Sequence, residues 1–218
     1  MTREEFKRIV ADAANDAELK SSDIPTVDLY VDQIITLHSD KLSEGSARFY
    51  DRQLTKTMIN NYAKDRVISP VKGKKYTKEQ ITQILFVYTL KSTLSIGEIK
   101  RLLDGAYAID GFDGKALTEL YDKYTSTKEL NREYIGDIAE RMLESANLDI
   151  ENDEDFISAI INFASMSAFL KNIAQAMIDE RFPISESDLE KEKKIKKEKK
   201  EKEKKVTKVS KKDTKKEQ

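Results

Sequence analysis

Three times in this chain a serine or threonine stands three residues ahead of a glutamate or glutamine, at the head of a run with apolar residues every three to four positions. The pairs are Thr2 with Glu5, Thr77 with Gln80 and Ser95 with Glu98. Each such pair can satisfy two backbone groups that the first turn of a helix leaves unbonded, so each marks a helix start. Only 7 Gly and 3 Pro occur in 218 residues, which leaves few residues suited to tight turns, and the fold class expected is all-α.

Periodicity fills in the rest. The first helix is expected from Thr2 to about Leu19 through Phe6, Ile9, Val10 and Ala13, and a second from about Val27 to Leu42 on Leu29, Val31, Ile34, Ile35 and Leu37. After a polar stretch, Ser43 to Gln53, a short helix from Leu54 to Lys64 turns Met58, Ile59 and Tyr62 inward. In the helix opened by Thr77, Ile81, Ile84, Leu85 and Tyr88 share one face while Phe86, Val87 and Leu90 cover others, so it is expected to be buried nearly all round. The helix opened by Ser95 is expected to end at Gly105, and a turn-rich junction follows to Gly114. Lys115 to Thr125, Lys128 to Ser145 and Asp153 to Phe182 then read as three further helices. The last is too apolar for one narrow stripe, which suits the centre of a bundle or a subunit interface.

Composition excludes much chemistry. No Cys is present, which removes thiolate nucleophiles and Cys-ligated zinc, and a lone His38 supplies neither a metal cluster nor a Ser/His pair with any redundancy. Asp149, Glu151, Asp153 and Asp155 alternate like a calcium loop, but Glu154 stands where the loop needs glycine and Ile160 where it needs a bidentate glutamate. They read instead as acids favoured at a helix start. No catalytic residue, metal or cofactor is assigned, and the chain is expected not to be an enzyme. The first residues carry no apolar stretch, and the longest uncharged run, Phe156 to Leu170, is short for a bilayer and rich in Ser and Asn. The expectation is a soluble, cytoplasmic protein with no membrane association.

The formal net charge of −1 conceals segregation. Residues 191–218 hold 15 Lys against six acids, a net of +9. The segment Lys41 to Asp104 holds 13 basic residues against six acidic ones, a net of +7, inside a frame of −17 made by residues 1–40 and 105–190. Like charges gathered in one folded segment repel, so this island points to a polyanionic partner.

Helix, turn, short helix, small hairpin and two more helices, nearly all within a basic segment, is the order of a winged helix-turn-helix. On the short helix Lys56, Thr57, Asn60, Asn61 and Lys64 face outward. Asn can pair with adenine through two hydrogen bonds, and Lys can meet guanine or phosphate, so this face suits the major groove. Lys72, Lys74 and Lys75 around Gly73 would form the phosphate-touching wing.

Met58-Ile59-Asn60-Asn61-Tyr62-Ala63-Lys64-Asp65-Arg66-Val67-Ile68-Ser69-Pro70 resembles the recognition-helix segment of MerR-type regulators, which ends in a tyrosine, a basic residue, a hydrophobic pair and a proline. Gly73 to Thr77 resembles that family's wing, and Leu94 to Leu103 the helix after it. Asn60 departs from the arginine usual there, and Ser43 to Gln53 is longer than the usual turn. Ile24-Pro25, Asp28 to Gln33, Leu54 to Tyr62 and Lys74-Lys75-Tyr76 together resemble a bacterial domain-of-unknown-function family, number 1836, over roughly residues 20–125. That resemblance implies a transcriptional regulator.

The organisation expected is therefore an N-terminal helix (1–22), a MerR-like winged helix-turn-helix with a small β-hairpin wing (23–106), a C-terminal helical bundle region (107–184) and a disordered Lys/Glu tail (185–218). The partner expected is double-stranded DNA, with a homodimer formed through the C-terminal helices. The alternative is a protein-interaction module on the same scaffold.

Overall fold

The computed structural model describes residues 1–49 and 52–184; the tail expected to be disordered lies outside the described residues. Seven α-helices are described: α1 (Arg3–Ala14), α2 (Val31–Leu42), α3 (Lys56–Lys64), α4 (Lys78–Leu90), α5 (Ile96–Tyr107), α6 (Gly114–Ser145) and α7 (Asp153–Arg181). Two short strands, β1 (Leu29–Tyr30) and β2 (Lys75–Tyr76), pair antiparallel with Leu29 opposite Tyr76. All three expected capping boxes form. In each, the hydroxyl accepts from the amide three residues on, and the Glu or Gln side chain accepts from the cap amide.

The main core gathers around α4, of which Ile81, Ile84, Leu85, Phe86 and Val87 are buried. Against them lie Ile34 of α2, Ile59 and Tyr62 of α3, Ile99 and Leu103 of α5, Leu117 and Tyr121 of α6 and Ile178 of α7. Each fully buried aliphatic side chain contributes roughly 1.5–3 kcal/mol, so this cluster is what holds the short α3 in place. A smaller core joins Phe6 of α1 to Ala139 and Leu143 of α6, Ile150, and Ala159 of α7.

Four expectations are corrected. The first helix stops at Ala14 rather than near Leu19. Arg132 draws the chain out of the helix by donating to the carbonyls of Ala14 and Asp16, and Leu19 enters the main core from an extended segment. The two helices expected over 115–145 are one helix of 32 residues. Thr125 and Thr127 donate their hydroxyls to the carbonyls of Asp122 and Lys123 within the helix, instead of capping a new one. Gly105 does not end α5, which runs on to Tyr107. Its missing Cβ makes room for the Phe182 ring, whose Cδ1 would lie 2.2 Å from a Cβ there.

The fourth concerns the wing. No hairpin forms among the described residues: the partner of β2 is β1, which precedes α2. The residues that a hairpin's first strand would use are bonded to α4 instead. Gln80 donates to the carbonyls of Ser69 and Pro70, and Gln83 accepts from the Ser69 amide at 2.7 Å. Pro70 has no amide to offer a ladder.

Candidate nucleic-acid interface

Thr55 opens α3, its hydroxyl accepting from the Met58 amide at 3.2 Å. Ile59 and Tyr62 are buried and Met58 and Ala63 half-buried, which seats the helix on α2 and α4. The opposite face carries Lys56, Thr57, Asn60, Asn61 and Lys64, all exposed. The helix closes with Arg66 in the left-handed region at φ 55°, so that the Val67 amide reaches the Tyr62 carbonyl and the Arg66 amide that of Ala63. Val67 and Ile68 then drop into the core.

Lys72, Lys74 and Lys75 are exposed on the loop into β2, which turns at Gly73 with φ 83°. Lys75 stands beside the start of α2, its Nζ 5.1 Å from the centroid of the Tyr30 ring. The candidate residues thus sit on two elements, α3 and the 72–75 loop, both fixed to the main core. Tyr62 and Tyr76 belong to that core, as their place on apolar faces suggests. Tyr88 is half-buried, with His38 packed edge-on against it at 4.3 Å.

Ion pairing is sparser in this region than in the rest, where Lys7, Arg8, Lys123, Arg141, Lys171 and Arg181 also lack a carboxylate partner among the described residues. None of the ten cations between Gly45 and Ile99 pairs with a carboxylate among the described residues. Arg3, Lys20, Lys115, Lys128 and Arg132 of the acidic frame do, as do Lys41, Lys100 and Arg101 at the island's two edges.

Several residues behind α3 escaped the sequence reading. Lys91 rests its Nζ 4.7 Å from the centroid of the Tyr88 ring and 3.1 Å from Met58 Sδ. Burial pushes its pKa down. With Phe49, Arg52, Tyr124 and Lys128 it lines a cleft of about 430 Å³. These side chains come from distant segments, so no local pattern could have grouped them. Gln80 and Gln83, spaced i and i+3 in an otherwise apolar helix, did give a readable signal of a buried polar contact. Asp149 and Asp155 spend carboxylate oxygens on the amides of Glu151 and Asp149, and Asn152 caps α7.

Residues 19–124 match the family model described as Domain of unknown function (DUF1836). The DUF1836 match begins at the extended segment that buries Leu19 and ends within α6 at Tyr124, so it takes in α2 to α5, both strands and every candidate contact residue. No curated protein and no solved structure matches the chain.

Proposed function

We propose that residues 23–106 are a MerR-like helix-turn-helix, with the 72–75 loop in place of a hairpin wing, and that the chain is a cytoplasmic transcriptional regulator that binds double-stranded DNA without catalysis. In this reading α3 enters the major groove, Asn60 and Asn61 meet base edges, Lys56, Thr57 and Lys64 flank them, and Lys72, Lys74 and Lys75 touch phosphates. The carrying observation is that, among the described residues, none of the ten cations between Gly45 and Ile99 pairs with a carboxylate. Cations without a carboxylate partner, two of them on the open polar face of α3 and three on the 72–75 loop, suit a ligand that brings its own negative charge.

The test is fluorescence polarisation of the full chain on random-sequence and promoter fragments between about 50 and 200 mM salt. Affinity is expected to fall steeply with salt. Lys74→Ala or Lys75→Ala should weaken binding alike on every sequence, while Asn60→Ala or Asn61→Ala should relax discrimination at particular bases. Absence of salt-sensitive binding, or indifference to all four substitutions, would refute the assignment.

A second reading, a helical module that binds another protein, draws on the exposed apolar residues of α6, among them Leu130, Tyr134 and Ile138. Under it the four substitutions leave the chain's behaviour unaltered, and charge changes on α6 carry the effect.

A further inference from the structure

α7 is fastened at its ends and bare between them. Near its start Ala159 is buried in the small core and the Phe163 ring lies 6.1 Å from that of Phe6. Near its end Ile178 enters the main core, Asp179 pairs with Arg101 at 2.7 Å, and Phe182 covers Gly105. Every residue from Ala164 to Ile173 is exposed.

The uncovered surface is apolar on two opposite sides. At about 100° per residue, Ile157, Ile160 and Ile161 project to one side and Phe169, Ile173 and Met177 to the other. These six are 54–67% exposed. One added helix covers only one side, so whatever completes α7 must bring at least two. α6 shows an open apolar stripe of its own, with Leu130, Tyr134 and Ile138 one turn apart.

We propose that the missing partner is a second copy of this chain. The α6–α7 pairs of two copies interlock in a two-fold bundle, each α7 lying between α6 and α7 of the other subunit. Charge allows this occupant: no charged residue occurs from Phe156 to Leu170, so a two-fold axis crossing that stretch brings no like charges together. Area favours it. Covered completely on both sides, the exposed large apolar residues of α7 would bury at most on the order of 900 Å², which reaches the roughly 800 Å² per partner of a stable interface.

Other occupants fit less well. Residues 185–218 bring few apolar side chains beyond Ile195, Val206 and Val209. A bilayer would suit α7 by length and composition alone. Insertion, however, would strip Ala159 and Ile178 from their cores and Asp179 from Arg101. The proposal rests on α6 and α7 and is independent of the DNA reading.

The experiment is sedimentation velocity of the full chain in detergent-free buffer, beside Ile161→Lys/Phe169→Lys and with flotation on phosphatidylcholine/phosphatidylglycerol vesicles. A dimer at micromolar concentration is expected, with the double variant monomeric at unchanged helical circular dichroism and neither protein floating. A monomeric wild type, a variant that dimerises as well as wild type, or flotation with the vesicles would each overturn the proposal. Because the chain has no Cys, Phe169→Cys gives a second measurement that keeps an apolar side chain. Its maleimide reactivity should fall at least tenfold as concentration is raised through the dimerisation range, and a constant reactivity would overturn the proposal even if the lysine variant misfolds.

Discussion

Gly45 and Ala17 meet so closely that a Cβ on Gly45 would stand 2.8 Å from the Ala17 nitrogen, and as close to the Asn15 carbonyl oxygen. The next residue secures the approach: the Ser46 amide donates to the Asn15 carbonyl at 2.7 Å and its hydroxyl to Asp12 at 2.5 Å. The turn after α2 is thereby fastened to the end of α1, and both obstacles at Gly45 are backbone, which cannot swing aside. Gly45→Ala should therefore destabilise the fold by about 1–3 kcal/mol, as overpacking does. Urea unfolding measures this. A loss under about 0.5 kcal/mol would mean that the two segments part easily.

Arg66 occupies a position that favours glycine. Its left-handed φ of 55° ends α3, and a side chain there costs roughly 1 kcal/mol against glycine. Arg66→Gly should raise stability by about 0.5–1 kcal/mol after the greater freedom of glycine in the unfolded chain is allowed for. If the basic island binds DNA, the same substitution should weaken binding several-fold and reduce the salt dependence by about one phosphate contact. Opposite signs in thermal melting and polarisation would mean that strain is retained for a contact. A gain in stability with no change in affinity would remove Arg66 from the interface.

His38 should make the fold acid-sensitive. Burial, aided by the nearby Lys91 ammonium, lowers its pKa from the ordinary 6.5 to about 4. Nδ1 has no hydrogen-bond partner among the described residues, and the ring packs against Tyr88. With the folded pKa below the unfolded one, the unfolded chain binds the proton first. Stability is thus complete above about pH 6.5, falls as pH drops towards 4 and levels off below it, by on the order of 3 kcal/mol in all. As the only histidine, it gives a single Hε1 resonance to follow in an NMR titration. A midpoint near 6.5, or a His38→Phe variant whose unfolding free energy keeps the wild-type slope between pH 4 and 6.5, would defeat the argument.

The legible parts of this fold are those set by neighbours in the chain. The caps at Thr2, Thr77 and Ser95, the burial of α4 and the inward turn of Ile59 and Tyr62 follow from residues within one or two helical turns. The illegible parts depend on partners far away in sequence. Nothing near Ala14 tells that Arg132 will take its carbonyl, or near Gly105 that Phe182 will lie on it. The missing hairpin lies between the two: the pair Gln80 and Gln83 signals a buried polar contact, but not that it claims Ser69 and Pro70 ahead of β2. At the candidate interface the two kinds of signal divide cleanly. Helical spacing placed Lys56, Asn60 and Lys64 on an open face, whereas the half-buried Lys91 behind them needed α3 and α4 to pack first.

Arg132 offers the sharpest test of such a distant contact. Its Nε donates to the Ala14 carbonyl at 2.7 Å, and its Nη2 reaches both the Asp16 carbonyl at 2.7 Å and an Asp16 carboxylate oxygen at 3.1 Å. A C-terminal helix carbonyl has no partner within its own helix, so one planar fork both closes α1 and turns the chain away. Lysine keeps the charge but cannot hold two carbonyls from one rigid plane. Arg132→Lys should cost about 1–2 kcal/mol. The loss should be local: hydrogen exchange should quicken through the α1 amides while α4 keeps its protection, because Phe6 holds α1 to the small core and α4 lies in the main one. Unchanged exchange in α1 would mean that the Phe6 cluster alone anchors the helix, and equal quickening in α4 would mean that α1 and the main core open as one unit.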